Sequence, residues 1–144
     1  MLGHAARGGE VEMVRILVCG GRDLDPTQAF NWLEVNAKDE IASRLWIYGT
    51  VTIDVLIHGG ARGADEGAAR WGESEHAKVL CFNADWKAHG KSAGPRRNSR
   101  MIREGKPDVV IALPGGRGTA DMINQAESEG VPVIKVAELF EPSP

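Results

Sequence analysis

Three short stretches of the chain join paired glycines to an arginine. They are Gly20-Gly21-Arg22, Gly59-Gly60-Ala61-Arg62-Gly63 and Gly115-Gly116-Arg117-Gly118, and the latter two run on alike, as RGAD and RGTAD. Glycine leaves backbone N–H groups uncovered by a Cβ. A helix starting directly afterward adds its unpaired N–H groups and the positive end of its dipole. Arginine contributes a planar fork of donors. Such a set binds phosphate, and Thr119 adds a hydroxyl in the first turn after the third loop. One Gly-Gly loop alone only turns a strand into a helix in many α/β proteins. Three with arginine predict a ligand.

Other residues fit the same chemistry. Asp65 and Asp121 occupy matching places after the second and third loops. Each is either an acid satisfying helix N–H groups or an acceptor for ribose hydroxyls and water. From Lys87 to Lys106 there are seven Lys or Arg and one acid, Glu104. Within that segment Arg96, Arg97 and Arg100 are helix neighbours, and Asn98 caps its loop or meets a ligand amide. Trp86 stacks on a base or packs over a sheet edge. His58, at a strand-to-loop junction, is either a satisfied structural histidine or a proton carrier at the rim.

The elements that must carry these residues follow from apolar periodicity. Val14–Cys19, Asp54–His58, Lys78–Phe82, Asp108–Leu113 and Val131–Val136 are short, continuously apolar runs. Runs of that kind are strands buried on both faces, as in a parallel sheet covered by helices. Asp25-Pro26 reads as an N-cap followed by a first-turn proline. Phe30, Leu33, Ala37, Ile41 and Leu45 then form the stripe of a long helix that Gly49 stops. Helices are also predicted from Arg62-Gly63 to about Glu75, from Pro95 to Gly105 and over Ala120–Glu129; Asn83–Gly94 reads as a long loop. The expected fold is α/β, a Rossmann-like doubly wound parallel sheet of about five strands in order 3-2-1-4-5. In such a sheet all three Gly-Gly-Arg loops share one edge, where ligands bind.

The 144 residues suffice for one domain. Residues 1–12 read as a flexible arm, 13–140 as the domain and 141–144 as a tail. Glycine is in excess, at 18 residues. A net charge of −3 gives no global pull toward nucleic acid or membrane. No apolar run approaches the roughly 20 residues of a membrane span. Cys19 and Cys81 are expected to be reduced core thiols of a cytoplasmic protein, and no His/Cys cluster has metal-ligand spacing. Neither GxGxxG nor GxxxxGK[ST] is present, which disfavours those dinucleotide and ATP sites, and no GxSxG elbow occurs.

The stretches VRILVCGGRD, HGGARGAD, Trp86 through Gly94-Pro95-Arg96-Arg97-Asn98 to Met101, and PGGRGTADM resemble the YspA-type, cpYpsA-related branch of the SLOG superfamily, from about Val14 to Val136. The resemblance implies a Rossmann-like domain that binds a nucleotide or nucleotide-derived ligand, as a sensor or binding domain. It also implies a homo-oligomer, a dimer; no cofactor, metal or membrane partner is expected. Among SLOG proteins the LOG phosphoribohydrolases split base from ribose 5′-phosphate, and single-stranded nucleic-acid binding is a further relative's function. The LOG phosphate loop matches Pro114–Thr119, and its substrate-site arginine falls on Arg97, four residues before Met101. Two glutamates follow in the LOG motif, the second catalytic; Asp121 and Met122 stand there instead, so hydrolysis would rest on Arg97 and Asp121. The ligand residues expected are Gly20, Gly21, Arg22, Gly59, Gly60, Arg62, Gly63, Asp65, Arg97, Asn98, Gly115, Gly116, Arg117, Gly118 and Thr119. The phosphate is expected on the N–H groups of Gly116, Gly118 and Thr119, with Arg97 opposite.

Overall fold

A computed structural model describes residues 10–139. Most of the expected arm and the tail fall outside this range. Five strands, β1 (Val11–Cys19), β2 (Thr50–His58), β3 (Lys78–Cys81), β4 (Val109–Ala112) and β5 (Val133–Lys135), form one sheet in the order β3-β2-β1-β4-β5. Every neighbouring pair is parallel. The Rossmann-like architecture and the strand order are those the apolar runs predict.

β1 and β2 begin earlier than their apolar runs suggest. Val11 pairs with Thr50 and Glu12 with Val51, so the last two residues assigned to the arm are strand. For β2 the cause is alternation. Val51 and Ile53 are buried while Thr52 and Asp54 are not, a half-buried pattern that a search for continuous apolar runs passes over.

Between β1 and β2 the expected long helix is present in three parts: α1 (Pro26–Trp32), a π-helical turn (Leu33–Ala37) and α2 (Lys38–Leu45). Asp25 caps it, its carboxylate accepting from the Thr27 N–H at 2.9 Å. Leu33, Ala37, Ile41 and Leu45 are buried in the core as the stripe requires. The stop is Trp46, in the left-handed conformation at φ 58°, and not Gly49. Its side chain is 62% exposed, whereas Trp71, on α3 (Ala64–Ser74), is fully buried.

The expected loop 83–94 contains α4 (Trp86–His89), capped by Asp85, and a 3₁₀ turn over Gly90–Ser92. A single turn is too short to show amphipathic periodicity. α5 (Ala93–Gly105) starts two residues before Pro95, which occupies a first-turn position where no N–H is needed. α6 (Arg117–Ser128) starts three residues earlier than periodicity alone indicates.

Two core clusters cover the faces of the sheet. One packs α1, α2 and α3 against it, with Ile16, Val18, Leu56 and Ile111; the other packs α5 and α6, with Leu17, Ile57 and Val110. Cys19 is in the core, but Cys81 is exposed, because it ends an edge strand with no neighbour on its outer side. No helix among the described residues is long and apolar enough to cross a membrane.

Candidate functional site

The chain leaves β1 toward β2 on one side and reaches β4 on the other, so the switch point lies between the C-terminal ends of β1 and β4. There the first and third glycine loops meet: the Gly21 N–H donates to the Pro114 carbonyl at 2.8 Å. The second loop is laced to them through the Ala64 N–H and the Gly21 carbonyl, 3.1 Å apart. Gly63, at φ +73°, is required here, since a Cβ would run into the backbone of Gly21 and Arg22. Gly20 serves packing as well, for its Cβ would meet Ala64 and Leu113.

The two RGxxD-like loops look equivalent in sequence and are not equivalent in space. In the second loop the amides are already occupied. The Gly60 N–H donates to His58 Nδ1 at 3.0 Å, the Ala61 N–H to Asp65 Oδ2 at 3.0 Å and the Gly63 N–H to Glu66 Oε1 at 2.9 Å. Asp65 and Glu66 thus fill the N-terminus of α3 with its own carboxylates. The expected backbone cradle at Gly59, Gly60 and Gly63 therefore has no free amide at 60, 61 or 63, and the loop's contribution is Arg62. The Gly63-x-x-Glu66 spacing was the signal, obscured because a glycine stands where a capping box usually has Ser or Thr.

α6 is the opposite case. No acidic residue lies in its first turn and no side chain caps it. The first amide bonded back into the helix is that of Ala120, to the Gly116 carbonyl at 3.0 Å, which leaves the N–H groups of Arg117, Gly118 and Thr119 ahead of the ladder. Space around Gly116 and Gly118 is open, with no atom within 4 Å of a built Cβ. Asp121, expected in the first turn, sits a turn further along. Its Oδ2 accepts from Asn98 Nδ2 at 2.9 Å and from Gln125 Nε2 at 2.8 Å. Met122 is fully buried in the core against the sheet, so the position matching the LOG catalytic glutamate faces away from the opening.

A cavity of about 630 Å³ opens over the switch point, and its lining includes Gly20–Asp23, Asp65, Gly116–Thr119, Asp121, Trp86, Lys91, Arg97 and Asn98. A second hollow of about 330 Å³ adjoins it above the second loop, and Arg62 and Asn83 line only that one. The sequence reading missed Lys91, Asn83 and Asp23. Lys91 belongs to the basic segment, while nothing in the sequence marks Asn83 or Asp23. His58 lines neither cavity.

Arg97 lies between the two hollows. Its Nε donates to Asn98 Oδ1 at 3.0 Å and its Nη1 to the Gly59 carbonyl. Only a glycine at 59 permits this, since a Cβ there would collide with the guanidinium. Asn98, buried at 4% exposure, also donates to the Gly118 carbonyl at 3.2 Å and to Asp121. Both its amide hydrogens are committed, so it joins Arg97 to α6 and has no donor left for a ligand. Asn98→Ala is expected to destabilise the fold by on the order of 2–3 kcal/mol, because partners are left unpaired in a buried position, and denaturant unfolding checks this. The other arginines of α5 turn outward. Arg96 donates to Ser92 Oγ at 3.1 Å, and Arg100 pairs with Glu104 at 3.5 Å and lies over the Phe82 ring.

Burial shapes the charges beneath the crevice. It pushes the Cys19 thiol up to about 12, with the Asp65 charge adding to the effect, so Cys19 is no nucleophile. It raises Asp65 above the usual carboxylate range, opposed by the Ala61 N–H bond, and lowers Arg97 and His58 below their ordinary values. On acidification the unfolded chain therefore protonates at His58 before the folded one, and stability present above the ordinary histidine value is lost as pH falls. Asp65 works in the other direction, since its raised folded pKa favours the folded state as pH falls. His58→Gln, which keeps an acceptor for Gly60, isolates the first effect: the stability advantage of the parent over H58Q is expected to shrink from pH 7.5 to 5.5. An advantage that is flat or grows across that range contradicts the assignment.

Taken together, the parallel sheet and the crevice at its switch point define a Rossmann-like α/β domain. The chain belongs to the YspA, cpYpsA-related SLOG family, whose profile matches residues 14–89. That match covers the first two glycine loops and Trp86, and it ends before α5 and α6. The chain is similar to the Gene 61 protein of Mycobacterium phage D29, at 43% identity over 91 residues, 58% of this chain and 72% of that protein. Among solved structures it is similar to DNA processing protein A from Streptococcus pneumoniae, with 16% identity and a TM-score of 0.42, covering 91% of this chain and 63% of that one. It thus spans less than two thirds of that protein's length. Membership of the SLOG family suggests a nucleotide-related binding or processing role.

Proposed function

We propose that the chain is a ligand-binding domain for a phosphorylated nucleotide or nucleotide-derived small molecule. Its phosphate rests on the N–H groups at the start of α6, Gly116 to Thr119, with the Arg97 guanidinium facing it across the 630 Å³ cavity. One observation carries the reading. Of the two helices that follow directly on the second and third glycine loops, α3 has its N–H groups filled by Asp65 and Glu66, while α6 has an uncapped, acid-free start with open space before it. Half-exposed Trp86 supplies a surface on which a base can stack.

The test is a thermal-shift panel of nucleoside mono- and diphosphates, ADP-ribose and cyclic nucleotides. A ligand at 100 times its Kd is expected to stabilise by roughly 2.7 kcal/mol, a rise of several degrees in Tm. No shift with any member overturns the reading. The site is read as binding, not hydrolytic, since Met122 is in the core and Asp121 is held by two amides. Incubation with each common nucleoside monophosphate at high protein concentration is accordingly expected to release no free base. Base release lost in Asp121→Asn would instead make the protein a phosphoribohydrolase.

A further inference from the structure

The hollow above the second loop differs in kind from the cavity over the switch point. The larger cavity mixes charges, with Asp23, Asp65 and Asp121 on its walls beside its cations. The smaller one is lined by Arg22, Arg62 and Arg97 and by no carboxylate at all. Neither Arg22 nor Arg62 has an ion pair or a hydrogen bond within the described residues. Burial disfavours the Arg97 charge first; buried Asp65 attracts it and Arg22 repels it. Arg22 and Arg62 are exposed beside it, and like charges gathered about one hollow favour an anion between them. A surface array of arginines has no reason to converge on one hollow; an anion site does.

Arg97 connects this hollow to the larger one. A guanidinium carries five N–H donors. The Gly59 carbonyl and Asn98 take one each, which fixes the plane of the group and leaves the rest for ligand. Arg22 and Trp86 line both hollows as well. A molecule seated on the start of α6 would therefore pass Arg97 and Arg22 to reach Arg62 without leaving the crevice.

We infer that the ligand carries two linked phosphoryl groups, one on the start of α6 and the next among Arg22, Arg62 and Arg97. It is a nucleoside diphosphate or a pyrophosphate-linked nucleotide, in preference to a nucleoside monophosphate. This rests on the proposed nucleotide reading and narrows it. Arg62 lines only the second hollow, so it sets phosphate count without touching the first phosphate.

Calorimetric titration of the full chain with the mono- and diphosphates of adenosine, guanosine, cytidine and uridine tests it, in the parent and in Arg62→Gln. For the base that binds, the diphosphate is expected to bind about tenfold tighter or more than the monophosphate, the scale of one charge-assisted contact. R62Q, at an exposed position, is expected to keep monophosphate affinity and to lose most of that ratio. A parent ratio near one, or equal weakening of both ligands by R62Q, overturns the two-phosphate assignment and leaves the nucleotide reading standing. If none of the eight binds, and neither ADP-ribose nor a cyclic nucleotide binds, both fall together; binding of a cyclic mononucleotide alone overturns the two-phosphate assignment only.

Discussion

Gly116→Val is expected to abolish nucleotide binding while the domain stays folded. A branched side chain at 116 would stand in the open space before α6, where the phosphate meets the N–H groups of Arg117, Gly118 and Thr119. No atom beyond its chain neighbours lies within 4 Å of a Cβ placed there, so the side chain has room. The cost to the fold is that of a poor residue at a helix start, about 1 kcal/mol. Calorimetry with the ligand that shifts the parent's melting point, beside a denaturant titration, separates the two effects. Retained binding in a folded Gly116→Val protein removes the phosphate from α6.

The second large effect belongs to Arg97. Removing its guanidinium is expected to weaken binding by roughly 1.5–3 kcal/mol, about 10- to 150-fold, as for loss of a charge-assisted hydrogen bond. Arg97→Lys should recover little. A lysine has no fork to hold the Gly59 carbonyl and Asn98 at once, so its charge is not fixed in the crevice. The same guanidinium ties α5 to the second loop, and a modest loss of stability is expected beside the loss of affinity. The affinity loss at saturating stability, measured well below the melting temperature, is the diagnostic part. Equal binding by R97A contradicts the account.

Much of this fold is legible in residue types. The five apolar runs fix the strands, and parallel order places the three glycine loops on one rim, because a doubly wound sheet has only one ligand-binding edge. Polar alternation hid the first residues of β2, where Thr52 is half-buried and Asp54 exposed. The stop at Trp46 was invisible for another reason: a left-handed tryptophan runs against the usual preference for glycine there. At the site, sequence supplies the candidates but not their division of labour. RGAD and RGTAD differ by one inserted residue, and α6 starts at its arginine whereas α3 starts two residues after its own; together these move the carboxylate from the first turn of α3, where it fills the loop amides, to the second turn of α6, where it cannot. Which amides remain free for an anion is a matter of three-dimensional hydrogen bonding, and so is the outward turn of Arg96 and Arg100.

The central claim is that an anion sits on the start of α6 opposite Arg97, and amide NMR of the isotopically labelled chain reads it directly. On titration with inorganic phosphate, the largest saturable shifts are expected at the N–H groups of Arg117, Gly118 and Thr119 and at the Arg97 Nη protons that neither Gly59 nor Asn98 takes. The occupied amides of Gly60, Ala61 and Gly63 should move little. Shifts confined to the outer face of α5, at Arg96 and Arg103, with the α6 amides unmoved, would contradict the account.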